Sequence, residues 1–190
     1  PCLKQVAWDE AAHVPFLLRY PAAQGRGRVE DAPLTTPDIY PTLLGLAGVA
    51  IPKTVEGDDL SVLVREPGKA AGLRDRAALS MNASPFGGGD LNCPYRAIRT
   101  RRYTYVRNLE GPWLLFDDLR DPYQMQNLVD DPKCASLRQE LDARLMAELK
   151  KIGDDFRPAA DYVQAFGYEL AKHGSCSYAP GAKVQSPERK

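Results

Sequence analysis

The chain has 190 residues, 44% hydrophobic and 26% charged, with 25 lysines and arginines balanced by 25 aspartates and glutamates. That size and balance suit one sizeable globular domain with a small satellite, and the zero net charge argues against a nucleic-acid or polyanion binder. No stretch reaches the ~18 apolar residues of a membrane span. The basic cluster Arg96, Arg99, Arg101 and Arg102 reads as the charged outer face of a hairpin.

In chain order, residues 14–19 (VPFLLR) form a short apolar run that suits a buried strand. Residues 21–28, rich in glycine, alanine and proline, read as a loop. Thr36 offers an N-cap with Pro37 at the first helical position, and Ile39, Leu43, Leu46 and Ala47 share one helical face. Gly48 is placed to end that helix, while Pro41, lacking an N–H, could move its true start downstream. Residues 52–72 look irregular, with one helical turn at 60–64, and residues 76–81 suit a strand. Residues 84–94, with Gly87, Gly88 and Gly89, read as a flexible loop.

Residues 95–100 and 103–107 are β-rich runs flanking Arg101 and Arg102, and residues 113–116 make a further strand. Their closeness in sequence predicts an antiparallel meander. Ser136 with Gln139 has the spacing of a capping box, after which Leu137, Leu141, Leu145 and Leu149 recur every four residues until Gly153. This stripe predicts a packing helix. A short helix over 160–172 and a tail over 174–190 complete the chain.

Residue chemistry alone is sparse. The two histidines, His13 and His173, have no metal-ligand spacing, and the four cysteines, Cys2, Cys93, Cys134 and Cys176, are scattered. They read as free thiols or a disulfide rather than metal ligands. Neither a nucleophile elbow nor a phosphate-cradling glycine loop occurs. These features support only an α/β or α+β domain.

Four blocks in order carry more. Lys4, Trp8, Asp9, His13 and Pro15 are followed by Thr36-Pro37-Asp38-Ile39-Tyr40-Pro41-Thr42 running to Gly48. Next comes Glu56-Gly57-Asp58-Asp59-Leu60, then Tyr95 to Thr100 with Leu115-Phe116-Asp117 and Asp121-Pro122-Tyr123-Gln124 through Asn127-Leu128. Together they resemble the C-terminal portion of the sulfatase family, in the alkaline-phosphatase superfamily. Gln124 stands where the family pattern has glutamate.

The resemblance implies an α/β fold: the C-terminal part of an alkaline-phosphatase-like architecture, ending in a small antiparallel sheet packed by a C-terminal helix. It implies three regions: residues 1–75 as the end of the catalytic domain, 76–153 as the sheet-and-helix subdomain, and 154–190 as an extension. It implies hydrolysis of a sulfate ester or sulfamate on a sugar or aryl compound by a formylglycine, with calcium as cofactor in the parent enzyme. The calcium ligands and the C/S-x-P-x-R nucleophile motif are not among these residues, so no cofactor is expected for this chain and the chain alone is expected to be inactive. Cys93-Pro94-Tyr95-Arg96 has the wrong spacing for that motif.

Lys4 matches the family's catalytic lysine, a compact ammonium able to stabilise sulfate oxygens. His13 and Arg96 are candidate substrate-binding residues, although His13 has an equal claim to tie the loop to the following segment. Trp8 and Asp9 would hold the lysine segment, the ring by packing and the carboxylate by taking backbone donors or pairing with a cation. The implied partner is a sulfated small molecule or glycan, with no nucleic acid and no membrane span. Location follows only from the resemblance, which implies an extracytoplasmic protein. The chain opens at Pro1 with its first methionine at Met81, so the natural start is expected elsewhere. Alternatives are a non-catalytic module binding a sulfated glycan or partner chain, and a phosphoester-hydrolysing relative.

Overall fold

The computed structural model describes residues 6–23, 27–83 and 93–168. Its centre is a four-stranded antiparallel meander, β1 (Ala78–Asn82), β2 (Tyr95–Arg99), β3 (Tyr103–Asn108) and β4 (Gly111–Asp117), paired in sequence order. The helices in chain order are α1 (Asp9–Ala12), α2 (Thr36–Ala47), α3 (Ser61–Arg65), α4 (Ala71–Arg74), α5 (Ala135–Ile152) and α6 (Ala159–Ala165).

The near-continuous burial of β2, β3 and β4 reflects a sheet covered on both faces. Alternation sends Ile98, Tyr105 and Leu115 to one face, where they meet Leu141, Leu145 and Leu149 of α5. Tyr95, Ala97, Val106, Leu114 and Phe116 point the other way and bury Ala7 from the N-terminal segment. The Tyr105 hydroxyl donates to Asp142 of α5 at 2.7 Å, and Arg107 donates to the same carboxylate oxygen at 2.9 Å. Burial first, and then the Asp142 carboxylate, pushes the Tyr105 hydroxyl well above the ordinary phenol range.

α5 begins one residue before Ser136, so the expected capping box is not its start. Asp131 and Pro132 initiate a 3₁₀ turn, Pro132–Cys134, that runs into the helix, and the Asp131 carboxylate accepts the Lys133 N–H at 2.9 Å. Gly153 ends α5 in the left-handed region at φ 71°.

α2 starts at Thr36 despite Pro41, with Thr35 rather than Thr36 at the cap. The Asp38 carboxylate accepts the Thr35 N–H and hydroxyl, both at 2.8 Å. The buried face differs from the expected one. Asp38, Pro41, Thr42 and Leu46 are buried, whereas Leu43 is exposed. The polar members are satisfied by the loop before α3. Thr42 accepts the Leu60 N–H at 3.0 Å, and Asp38 accepts the Asp58 N–H at 2.9 Å. Pro41 cannot donate to Pro37, and Gly57 lies so close to that carbonyl that a Cβ would stand 2.0 Å from its oxygen. Arg76 closes the arrangement, donating to both Asp38 oxygens at 2.7 and 3.1 Å and to Asp58 at 2.8 Å.

The strand expected over 14–19 does not form. Val14 and Leu17 are exposed and no described strand pairs with this stretch, so it has no hydrogen-bond ladder. The helical turn expected at 60–64 is α3, and the short C-terminal helix is α6, which ends at Ala165. Residues 84–92 of the glycine-rich loop expected over 84–94, and the tail over 174–190, lie outside the described residues.

The Asp38–Arg76 pair sets an acid sensitivity. Burial raises the Asp38 pKa, but Arg76, the Asp58 N–H and Thr35 outweigh it and hold the carboxyl below its ordinary value. A pKa lower in the folded than in the unfolded state means that protonation favours unfolding. This stabilisation is complete above about pH 4 and is lost as pH falls through the folded-state value. Denaturant titrations between pH 3 and 7 are expected to show a shallower acid loss in Asp38→Asn. Arg76→Leu strands a buried carboxylate and is expected to cost about 3–5 kcal/mol at pH 7.

Candidate functional site

The N-terminal segment is stitched to the sheet along its length. The Tyr95 hydroxyl donates to the Val6 carbonyl at 3.1 Å. Ala7 is buried among β2, β3 and β4. Trp8 meets Trp113 edge-to-face, with ring centroids 5.4 Å apart and planes at 84°. A β-bulge brings Trp113 there. Val106 pairs with Leu114 and Arg107 with Pro112, which leaves Trp113 as the extra residue of β4. Both Trp113 and Leu114 then contact the cluster that holds Ala7.

Asp9 reaches a polar junction beneath this apolar contact. Its N–H donates to Gln124 Oε1 at 2.9 Å, and its carboxylate lies 3.3 Å from Arg99. Arg99 also donates to Thr104 at 2.7 Å and pairs with the buried Asp118. Gln124 Nε2 donates to Asp118 at 2.8 Å and to Thr104 at 3.2 Å. One guanidinium thus serves two carboxylates, and the neutral carboxamide supplies Asp118 with a donor without adding a third negative charge. This accounts for a neutral glutamine at this position. Gln124 is buried and sits at φ 51°, so its backbone is bent to aim the side chain inward. The cation expected for Asp9 is Arg99, and Trp8 packs as expected.

Lys4 lies outside the described residues. His13 is placed at the end of α1, largely exposed, with Nδ1 3.5 Å from the Asp9 carboxylate. Arg96 is elsewhere, buried at 1% exposure on the α5 side of the sheet. Its guanidinium makes a two-point contact with Asp154 through Nε and Nη2, donates to the Tyr162 hydroxyl at 3.1 Å, and reaches the Tyr95 and Asn82 carbonyls at 3.0 and 3.3 Å. The Phe156 ring stacks over it at 4.4 Å. All five N–H donors are engaged by the chain itself. The structure therefore does not bring His13 and Arg96 together. The arginine cluster also departs from a uniformly outward face: Arg96 is interior and Arg99 is only partly exposed, whereas Arg101 and Arg102 are more open and pair with Asp31 and Asp117.

Among the described residues, no three His, Cys, Asp or Glu side chains converge to hold a metal ion. The carboxylates Asp9, Asp38, Asp117, Asp118 and Asp154 each face an arginine instead. They do not fit a calcium ion. Cys93 and Cys134 are free thiols, and burial pushes the Cys93 thiol above its ordinary value, away from the reactive thiolate. No described helix is long and apolar enough to cross a membrane.

A family profile described as "N-sulphoglucosamine sulphohydrolase, C-terminal" matches residues 3–151. The chain belongs to the sulfatase family. The sulfatase chain is 48% identical over 174 residues to an ulvan-active sulfatase of Formosa agariphila, a match that takes in 91% of this chain and 34% of that protein. It is 32% identical over 173 residues to an endo-4-O-sulfatase of Bacteroides thetaiotaomicron, covering 80% of this chain and 32% of the relative. The sulfatase chain thus spans about a third of the length of these relatives. In fold it is similar to a protein solved in complex with its substrate D-glucosamine-2-N,6-O-disulfate, with a TM-score of 0.69 at 23% identity over 80% of this chain and 31% of the other. The small antiparallel sheet with its packed helix is the C-terminal part of the sulfatase architecture.

Arg76, Asp118 and Asp154 carry no signal in the sequence, because an arginine–aspartate pair far apart in the chain leaves no local pattern. The one available signal was the departure at Gln124. Arg96→Met is expected to free residues 154–168 from the sheet. Limited proteolysis should then cut near Arg157 at rates the unaltered chain does not show, with a stability loss of about 3–5 kcal/mol from the stranded Asp154 carboxylate.

Proposed function

We propose that the protein hydrolyses sulfate esters on a sugar polymer and that this chain supplies the substrate lysine, Lys4. The observation that carries this reading is the family match over residues 3–151, which includes the lysine motif and the sheet that receives it. The 48% identity to an ulvan-active sulfatase supports a sulfated polysaccharide as the substrate class.

The chemistry assigned to this chain is electrostatic. Negative charge shifts onto the sulfate and leaving-group oxygens as the S–O bond breaks, and a lysine ammonium held against them stabilises that charge more than the ground state. A C/S-x-P-x-R nucleophile motif does not occur in the 190 residues. Residues 1–75 belong with the catalytic domain and 76–153 with the subdomain that supports it. His13, exposed beside Asp9, is the better placed of the two expected substrate contacts. Arg96, with its donors spent on Asp154, Tyr162 and two carbonyls, serves the sheet instead. An extracytoplasmic location accords with a polysaccharide substrate.

The test uses the full-length protein and inorganic sulfate release from ulvan oligosaccharides, with 4-methylumbelliferyl sulfate and phosphate in parallel. Sulfate release is expected, with Lys4→Ala lowering kcat by about 100- to 1,000-fold. Faster turnover of the phosphate ester, or binding of ulvan without turnover, would replace this reading by a phosphoesterase or a binding module. The chain alone exposes Val14, Leu17, Tyr40, Leu43 and Val49. It is expected to release no sulfate and to sediment as concentration-dependent associated species.

A further inference from the structure

Val14, Pro15, Phe16, Leu17 and Leu18 are consecutive apolar residues, and every one of them is exposed. Leu17 is 94% exposed and Val14 71%. Among the described residues, no hydrogen-bond partner meets the backbone of residues 14–19. Laid out as a strand, residues 15–19 put Phe16 and Leu18 on one face and Pro15 and Leu17 on the other. Apolar side chains on both faces are the pattern of a strand covered from both sides. Pro15 takes the first position of that strand, which its missing N–H allows.

α2 carries the same message. Its twelve residues include one charged side chain, Asp38, and that side chain is buried. The opposite stripe is Tyr40, Leu43 and Ala47, all exposed, with exposed Val49 and Ile51 just beyond the Gly48 cap. A helix without an outward polar face belongs in an interior. The Tyr20 hydroxyl donates to the Leu46 carbonyl at 3.2 Å, so the end of the apolar run is tied to the end of α2.

We propose that residues 15–19 are an interior strand of a sheet built by the part of the same polypeptide that precedes this chain in its longer relatives, and that the outer face of α2 packs against that part. The match takes in 34% and 32% of the two relatives, so about two thirds of each lies outside it, and the matching family profile is described as C-terminal. A second copy of this chain suits the surface less well. Pairing about a twofold axis fills one edge of the run and leaves the other edge open. Neither the strand nor the helix face depends on the role of Lys4.

The experiment is hydrogen exchange on the unaltered full-length protein, read by mass spectrometry at two protein concentrations. The amides of residues 16–19 should exchange at least about 1,000-fold more slowly than in an unstructured peptide, equally at both concentrations. Accessibility gives a second readout. Leu17→Cys and Tyr40→Cys in the full-length protein should react with a water-soluble maleimide at least about 100-fold more slowly than after denaturation. Exchange of 16–19 within about tenfold of the unstructured rate would overturn the proposed strand. Protection that appears only at the higher concentration would assign the surface to a second copy and overturn it as well. Fast labelling of Tyr40→Cys beside protected 16–19 amides would overturn the contact made by α2.

Discussion

The arrangement turns on one packing event, the docking of residues 6–9 against the face of the sheet opposite α5. A four-stranded meander of this composition has apolar residues on both faces, and α5 covers only one. Ala7 and Trp8 cover part of the other, so the segment after Lys4 is a component of the subdomain's core rather than a strand passing over it. The energetic reason is ordinary burial of apolar area, worth roughly 25 cal/mol per Å². The geometric consequence is that residues 6–9 take their position from groups 89 and 115 positions later in the sequence, the Tyr95 hydroxyl on Val6 and the Gln124 carboxamide on Asp9.

Charged groups in this chain work in the same direction. Asp38 with Arg76, Asp118 with Arg99, and Asp154 with Arg96 each join elements distant in sequence, and each pair is at least partly buried. Such pairs contribute little net stability once desolvation is counted, yet removing one partner is costly. They therefore select among arrangements more than they strengthen any of them. Arg76 fixes α2 and the Asp58 loop to the start of the sheet. Arg96 holds the segment after α5 against β2. Arg99 holds Asp9 at the start of α1.

Local pattern made the secondary structure largely legible. The leucine stripe of α5, Gly48 and Gly153 in left-handed caps, and the β-rich runs around Arg101 and Arg102 all report short-range geometry, and short-range geometry is written in neighbouring residues. The misreadings share a cause. Residues 14–19 looked like a buried strand because they are apolar, but a strand exists only through a partner. Hydrophobicity puts Ile39, Leu43, Leu46 and Ala47 on one face of α2, and Leu46 is buried there, whereas Asp38 and Thr42 are buried because a loop and an arginine satisfy them. Ser136 and Gln139 had capping-box spacing, yet Asp131 and Pro132 had already started the turn.

By itself the sequence determined the family, through four ordered motif blocks, and with it the identity of Lys4 as the residue to test. It also determined the meander and its packing helix, because alternation and the four-residue leucine spacing depend only on residues close along the chain. Tertiary structure alone decided which arginine meets which aspartate, that Arg96 turns inward to Asp154, and that Gln124 accepts the Asp9 N–H while donating to Asp118. Those choices join residues up to 115 positions apart. At that separation no local periodicity carries the information, and only the folded sheet brings the donors and acceptors within reach of one another.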